Sequence, residues 1–142
     1  MPGIGLDAAS RRQVDPVDLA VIATPASSIP KIIRDCGEAG IRNAIILSAG
    51  FGEEGADGKQ REAELVDTAR HAGLRFLGPN CVGLVRPWIG MNATFLKSET
   101  PKGKLALISQ SGALCSAISD WAKPNHLGFS AIVSLGNAAN IG

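Results

Sequence analysis

Short apolar runs recur along this chain at spacings that leave room for one helix between each pair. The runs at 18–24, 43–48 and 74–78 are rich in branched or aromatic residues and end near Pro or Gly, which is typical of buried strands. Because helix-length segments separate them, the strands are expected to be parallel, with right-handed crossovers and a sheet covered on both faces.

The two segments between these strands carry apolar residues at helical spacing. Ser27 or Ser28 can cap a first helix that ends at Gly40, and a second helix over 59–72 ends at Gly73. The residues expected to face the sheet are Ile29, Ile32, Ile33 and Cys36 in the first helix, and Leu65, Val66 and Ala69 in the second.

The alternation stops over 85–103, where Pro and Gly punctuate the sequence without sustained periodicity. This interruption predicts a domain boundary, with a first domain at 1–96 and the start of a second at 97–142. Residues 1–17 are mixed and polar and are expected to form a loop.

The alternation resumes after the boundary. Strands are predicted at 104–109 and 129–135, with a helix over 112–123 between them. The apolar residues expected to face the sheet from this helix are Leu114, Ile118 and Trp121.

Composition narrows the classes of partner. Hydrophobic residues make up 45% of the chain, as in a globular protein with a real core. The formal net charge of +1 gives no large field for nucleic acid or an anionic membrane surface, so neither is expected as a partner. The three cysteines form no C-x-x-C pair, which favours a reducing cytoplasm over a disulfide framework or zinc site.

Four strand ends carry small and polar residues that let a ligand approach the backbone. Ligands bind at the carboxyl ends of strands in open parallel sheets, and all four lie at that edge. Taken singly, each is more simply a turn chosen for its geometry, but their occurrence at one edge favours binding. The four segments are Thr24-Pro25-Ala26-Ser27, Ser48-Ala49-Gly50-Phe51-Gly52, Gly78-Pro79-Asn80-Cys81-Val82-Gly83 and Ser109-Gln110-Ser111-Gly112.

The last of these segments joins a strand directly to a helix. The hydroxyls of Ser109 and Ser111, with unpaired N–H groups at the helix start, can bind a phosphate or a carboxylate. A capping serine explains the same pattern equally well.

Other arrangements are weaker candidates for chemistry. Neither His71 nor His126 has a visible acidic partner, and Cys81 is more simply a buried structural cysteine than a nucleophile. The pair Glu53-Glu54 is interpreted as part of a solvated loop rather than a metal site.

Several sequence blocks occur in order over residues 18–142 and are far more specific together than a single Gly-rich loop. They are Gly78-Pro79-Asn80-Cys81-Val82-Gly83-Leu84, Met91-Asn92-Ala93-Thr94-Phe95, the segment from Gly103 to Leu114, and Gly128-Phe129-Ser130 with Ser134-Leu135-Gly136-Asn137. Together they resemble the NDP-forming acyl-CoA synthetases and, more loosely, the alpha subunit of succinyl-CoA synthetase. The resemblance implies an α/β fold: a parallel, Rossmann-like CoA-binding domain, incomplete at its N-terminal side, followed by the start of a flavodoxin-like ligase domain.

The resemblance also implies roles for individual residues. Ser109 and Ser111 would hold the phosphate of a phosphohistidine that should lie beyond residue 142. The residues that would line the CoA site are Thr24, Pro25, Ala26, Ser48, Ala49, Gly50, Phe51, Asn80 and Cys81.

The implied cofactor is CoA or acyl-CoA. In the full-length enzyme, ATP or ADP with Mg²⁺ would bind outside this chain, on an ATP-grasp domain or subunit, and a homo-oligomer is an option. The family's first strand and Gly-rich turn should precede residue 18, yet residues 1–17 do not resemble them. The fragment alone is therefore expected to be inactive.

Two other functions stay open. Trp88 and the segment Asp120-Trp121-Ala122 also resemble the synthetase-like region of bacterial lysine acetyltransferases, where it would sense acetyl-CoA. A non-catalytic CoA- or nucleotide-binding module is the third possibility. The sequence beyond residue 142 would separate the three.

Overall fold

A computed structural model describes residues 16–97 and 99–141. The expected loop at 1–17 therefore lies almost wholly outside the described residues. The first sheet contains strands β1 (Ala20–Ile22), β2 (Asn43–Ile46) and β3 (Arg75–Leu77) in the order β1-β2-β3. All its neighbouring strands are parallel, which confirms the predicted pairing, although each strand is shorter than its apolar run.

The two helices that link these strands lie on one face of the sheet. Helix α1 spans Ile29–Glu38 and helix α2 spans Ala56–His71, close to the predicted bounds. Their apolar faces pack with alternate residues of the strands in a single core cluster, whose buried members are Ile22, Ile29, Ile33, Cys36, Ala44, Ile46, Phe51, Leu65, Ala69, Leu74 and Phe76.

The first sheet was predicted to be covered by helices on both faces. This prediction is wrong, because α1 and α2 cover the same face. With the strands in sequential order, two right-handed crossovers place both helices on the same side. On the opposite face, Ile45 is buried but Val21 is 49% exposed. A cavity of about 240 Å³ there is lined by Ile45, Leu77 and, from the second sheet, Leu84.

The second sheet is mixed. Its strands are β4 (Gly83–Arg86), β5 (Met91–Thr94), β6 (Lys102–Ser109) and β7 (Phe129–Ser134), in the order β5-β4-β7-β6. Strands β6 and β7 are parallel, as the sequence predicts, whereas β4 is antiparallel to both of its neighbours.

The hairpin of β4 and β5 was not predicted. Its turn, Pro87–Ile89 followed by Gly90 at φ 68°, uses the Pro and Gly residues that suggested a linker. The domain division after residue 96 stays a prediction, since β4 and β5 precede that point but share a sheet with β7, which follows it.

Helix α3 (Gly112–Ala122) turns a different face to the sheet from the one predicted. Leu114 is 48% exposed and Trp121 is 59% exposed, so their placement against the sheet is wrong, whereas Ile118 does pack on the core. The fully buried positions are Cys115, Ser119 and Ala122. These small residues let the helix lie close to the sheet, which the larger side chains would prevent.

In the described part of the chain, no helix combines the length and apolarity needed to cross a bilayer.

Candidate functional site

The loops that follow β1, β2 and β3 are hydrogen-bonded to one another. The hydroxyl of Ser48 donates to the carbonyl oxygen of Thr24 at 2.6 Å, and the backbone N–H of Asn80 donates to the carbonyl of Ser48 at 2.9 Å. Gly50 has φ 105°, and a Cβ there would lie 3.0 Å from Cβ of Ala26. The structure thus brings together the three loops on which the CoA residues were predicted.

Backbone groups of the loop after β2 form hydrogen bonds with the side chain of Glu53, which lies in the same loop. The N–H groups of Gly50 and Phe51 donate to Oε1 of Glu53 at 2.6 and 3.1 Å, and the Phe51 side chain is buried in the first core. Burial would raise the pKa of the Glu53 carboxyl, but hydrogen bonds from Asn137 and these backbone groups outweigh it and lower the pKa overall. Glu53 is exposed, which agrees with its interpretation as part of a solvated loop. Its carboxylate also orders that loop, because it accepts these backbone hydrogen bonds.

Of the other residues predicted for this site, Pro25 and Ala49 are exposed at the same edge. Pro25 begins a short 3-10 turn, Ala26–Ser28, that leads into α1. The hydroxyl of Ser28 lies 2.9 Å from Oγ1 of Thr24 and 2.7 Å from the carbonyl oxygen of Pro25. It therefore holds the loop rather than capping an N–H group of the helix.

The loop after β3 has an unusual backbone. The Gly78–Pro79 peptide bond is cis, Asn80 has φ 54°, and the side chain of Asn80 is exposed. Cys81 is buried, and its thiol donates to the carbonyl of Ile46 at 3.3 Å. Burial raises the pKa of Cys81 to about 11, so the thiol is protonated near neutral pH and has a structural role.

The strand-to-helix junction of the second sheet forms a serine cap. Oγ of Ser109 accepts from the N–H of Ser111 at 3.0 Å, and Oγ of Ser111 accepts from the N–H of Leu114 at 3.2 Å. Both hydroxyls act here as acceptors, so each keeps its own hydrogen for another partner. The capping interpretation is what the structure shows, and it leaves the first N–H groups of α3 without intrahelical partners.

This junction and the loop after β3 line one cleft of about 430 Å³. A Cβ on Gly112 would lie 2.5 Å from Cγ2 of Val82, so the start of α3 packs directly on that loop. Val82 is also tied to β7, since its N–H donates to Oγ of Ser134 at 3.1 Å. The residues that line the cleft are Leu47, Asn80, Cys81, Val82, Phe95, Gln110, Gly112, Ala113 and Ser116. Asn80 and Cys81, which were predicted for the CoA site, therefore lie across this cleft from Gln110 and Gly112, whereas Ser109 and Ser111 are not among its lining residues.

Sequence reasoning missed Asn137 and Glu62, which lie beside these loops. The side-chain nitrogen of Asn137 donates to Oε2 of Glu53 and to Oε2 of Glu62, each at 2.6 Å. Asn137 does lie in one of the sequence blocks that carry the family resemblance, but nothing in a single sequence pairs it with residues so distant along the chain.

The expectation that His71 lacks an acidic partner is wrong. Its Nδ1 lies 3.3 Å from Oδ2 of Asp67, one turn earlier in α2. Both side chains are exposed, and they lie near the last turn of the helix, away from the carboxyl ends of the strands. The pair is therefore a surface contact outside the site.

The arrangement suits an uncharged, flexible ligand arm more than a metal ion. Among residues 16–97 and 99–141, no three His, Cys, Asp or Glu side chains gather closely enough to hold a cation. Thr24, Ser48 and Asn80 instead offer neutral hydrogen-bonding groups, and Gly50 leaves the backbone open to close approach. The loops can therefore exchange hydrogen bonds with an uncharged part of a ligand.

Comparison with known families decides the relationship. Residues 5–87 match the sequence profile described as a CoA binding domain. The chain belongs to the CoA-binding domain family. The match starts at residue 5, which is earlier than the sequence blocks at 18–142 that carry the resemblance. Residues 102–142 of this CoA-binding chain match a second profile, the Succinyl-CoA ligase like flavodoxin domain.

Two relatives of this chain are ADP-forming acetate–CoA ligases. The chain is 48% identical over 127 residues to subunit alpha of ADP-forming acetate–CoA ligase I from Pyrococcus furiosus, covering 89% of this chain and 28% of that subunit. It is 46% identical over 123 residues to ADP-forming acetate–CoA ligase I from Archaeoglobus fulgidus, covering 87% of this chain and 18% of that protein. These matches confirm the resemblance to NDP-forming acyl-CoA synthetases.

A solved structure supports the fold. The dinucleotide forming acetyl-coenzyme A synthetase 1 of Ca. Korarchaeum cryptofilum, in complex with phosphate and ADP, matches with a TM-score of 0.86 and 39% identity. The match covers 93% of this chain and 28% of that one, so the α/β fold and its Rossmann-like first domain are confirmed. This chain spans 18% of the Archaeoglobus fulgidus ligase and 28% of the Pyrococcus furiosus subunit.

Proposed function

We propose that this chain provides the CoA-binding region and the start of the ligase core of an NDP-forming acyl-CoA synthetase. Such an enzyme interconverts acyl-CoA, phosphate and NDP with acid, CoA and NTP. The observation that carries the proposal is the shared cleft, in which the loop after β3 faces Gln110 and Gly112 at the start of α3. A thiol held at the first would lie beside a phosphate held at the second, which is the proximity that acyl transfer requires.

In this proposal the CoA arm lies over the carboxyl edge of the first sheet. The Ser48–Phe51 loop and Asn80 would bind it through backbone groups and neutral side chains, with Thr24, Pro25 and Ala26 forming the adjoining wall. Cys81 would support the loop from beneath, because its buried thiol is committed to Ile46.

The Ser109–Gly112 junction would bind the phosphoryl group. Two hydroxyl hydrogens, the unpaired N–H groups and the positive end of the α3 dipole all favour an anion. A phosphoryl group in transfer needs this positioning and charge stabilisation more than it needs a nucleophile. The phosphohistidine, the nucleotide, Mg²⁺ and an ATP-grasp partner are expected elsewhere in the enzyme, and a cytoplasmic location remains part of the proposal.

A charge placed at the edge of the first sheet tests the CoA assignment. Ala49→Glu adds a negative charge to the exposed loop and should weaken binding of the anionic CoA about fivefold or more, measured by titration calorimetry. Ala63→Glu is the matched control, because Ala63 is also exposed but lies on α2. Equal weakening by both variants, or by neither, would contradict the assignment.

The phosphate assignment has its own test. Replacing Ser109 and Ser111 by alanine should reduce binding of inorganic phosphate to this chain, followed by ³¹P NMR at low salt, since exposed anion sites are screened by salt. Ser130→Ala is a suitable control, because that hydroxyl donates to the carbonyl of Leu105, away from the cleft. Phosphate binding that survives the double replacement would place the anion elsewhere.

A further inference from the structure

The side chain of Asn137 uses its hydrogen-bonding capacity on three different segments. Its Nδ2 donates to Oε2 of Glu53 and to Oε2 of Glu62, at 2.6 Å in each case. Its Oδ1 accepts from Nδ2 of Asn80 at 3.2 Å. One carboxamide therefore joins the loop after β2, helix α2 and the loop after β3.

Backbone contacts fix Asn137 in this place. Its N–H donates to the carbonyl of Pro79 at 3.0 Å, and the N–H of Ala139 donates to the carbonyl of Gly78 at 3.1 Å. Gly136, with φ 57°, lies so close that a Cβ would come within 2.2 Å of the Pro79 oxygen. The segment after β7 is thus pressed along the loop after β3, and the carboxamide cannot move away without breaking these contacts.

The negative charges of Glu53 and Glu62 determine the orientation of the Asn137 carboxamide. Two carboxylates approach the same nitrogen, so its two hydrogens are both used and the oxygen must point to Asn80. The opposite orientation would turn a carbonyl oxygen toward two negative charges. An aspartate at this position would face the same repulsion in either orientation.

The link reaches the backbone that would meet a ligand. Glu53 accepts from Asn137 through Oε2, while its Oε1 accepts from the N–H groups of Gly50 and Phe51. Glu62 likewise accepts from the N–H of Gly52 at 3.2 Å. Moving Asn137 would therefore release the loop after β2 at three consecutive N–H groups.

We propose that Asn137 is a positioning residue that holds the Ser48–Phe51 loop and Asn80 in the arrangement that binds CoA. The inference rests on the proposed function, because it assigns those loops to CoA. It adds that the second sheet, through the segment after β7, sets the geometry of a site built on the first sheet.

The test compares two asparagines of one segment. Asn137→Asp should weaken CoA binding to this chain about tenfold, because bonds between a half-buried donor and charged acceptors are lost. Amide hydrogen exchange of Gly50 and Phe51 should speed up at the same time, without CoA present. Asn140→Asp is the control: Asn140 accepts from the N–H of Phe76 at 3.1 Å through Oδ1, and a carboxylate keeps that bond.

A swap variant separates positioning from general damage. Asn137→Asp combined with Glu53→Gln exchanges amide and carboxylate, so the new amide at position 53 can donate to the new carboxylate at position 137 while its oxygen still accepts from the loop. CoA affinity and amide protection should recover about threefold relative to Asn137→Asp, with Glu53→Gln alone completing the cycle. If Asn137→Asp does not fold, Asn137→Ala removes the contacts without adding charge, and a loss of about threefold is expected.

The outcomes distinguish the two proposals. Wild-type protein that does not bind CoA overturns the proposed function, while the exchange rates of Gly50 and Phe51 still decide whether Asn137 holds the loop. Unchanged affinity and unchanged exchange in Asn137→Asp overturn the positioning role. Equal losses in Asn137→Asp and Asn140→Asp, or no recovery in the swap, overturn it as well.

Discussion

Helices α1 and α2 bury a narrow apolar face each, whereas α3 buries small residues and leaves two large apolar side chains half exposed. In the first pair, Ile33 and Leu65 are fully buried, as their helical spacing predicts. In α3, Cys115 and Ser119 occupy the buried face and Leu114 lies outside it. The difference follows from composition: α1 and α2 have polar faces that can only meet solvent, but α3 is apolar on several sides.

The spacing of apolar residues therefore predicts which face of a helix is buried only where the opposite face is polar. For α3 the choice of face is made by fit to the sheet, because Cys115 and Ala122 allow a close approach that Trp121 would block. Tertiary packing of this kind cannot be read from hydrophobic periodicity alone.

The largest effect should come from a matched pair of leucines. Leu65→Ala removes a side chain that is 0% exposed and should lower the free energy of unfolding by about 2–5 kcal/mol. Leu114→Ala removes the same atoms from a position that is 48% exposed and should cost less than about 1 kcal/mol. Urea unfolding measures both values. Similar costs would mean that α3 buries Leu114 after all.

The junction between the two sheets should be sensitive to alkali through Cys81. The folded-state pKa of about 11 lies above the ordinary value of 9.0, so the protonated thiol stabilises the fold fully below pH 9.0. That contribution, of the order of 2 kcal/mol, is lost as the pH rises through the folded-state pKa. Urea unfolding at several pH values should show a smaller alkaline decrease in Cys81→Ala than in wild type. An identical decrease in both proteins would contradict the buried, protonated thiol.

Smaller changes in the free energy of unfolding are expected from replacing the serine at the start of α3 and the serine at the start of α1. Ser111→Ala removes the acceptor for the N–H of Leu114 and should cost about 1 kcal/mol of unfolding free energy. Ser28→Ala should cost less, because the Ser28 hydroxyl makes no capping bond with α1 and its bonds to Thr24 and Pro25 are exposed. The two values come from the same denaturant series. A larger cost at Ser28 would reverse the comparison of the two caps.

Much of the first sheet could be predicted from the sequence, whereas the pairing of β4 in the second sheet could not. The strands at β1, β2 and β3 are short, apolar and bounded by Pro or Gly, so local pattern identifies them. The hairpin of β4 and β5 has little alternation, and β4 pairs with β7 by placing Leu84 opposite Val133, which is distant along the chain. Non-local pairing of this kind leaves no local signal.

The candidate site shows the same division. Its loops could be located because each follows a predicted strand, and the carboxyl ends of parallel strands share an edge. The contacts that hold them, from Asn137 to Glu53 and Glu62, join residues 84 and 75 positions apart. Such contacts become visible only once the two sheets are placed against each other.

The most direct test of the central claim is a backbone NMR titration of this chain with CoA. The resonances perturbed most strongly should belong to Thr24, the Ser48–Phe51 loop and Asn80, with weaker changes at Gly112 across the cleft. Arg42 and Gly73, at the opposite edge of the first sheet, should stay unperturbed. Perturbation concentrated at that opposite edge would contradict the assignment of the CoA site to the carboxyl ends of the strands.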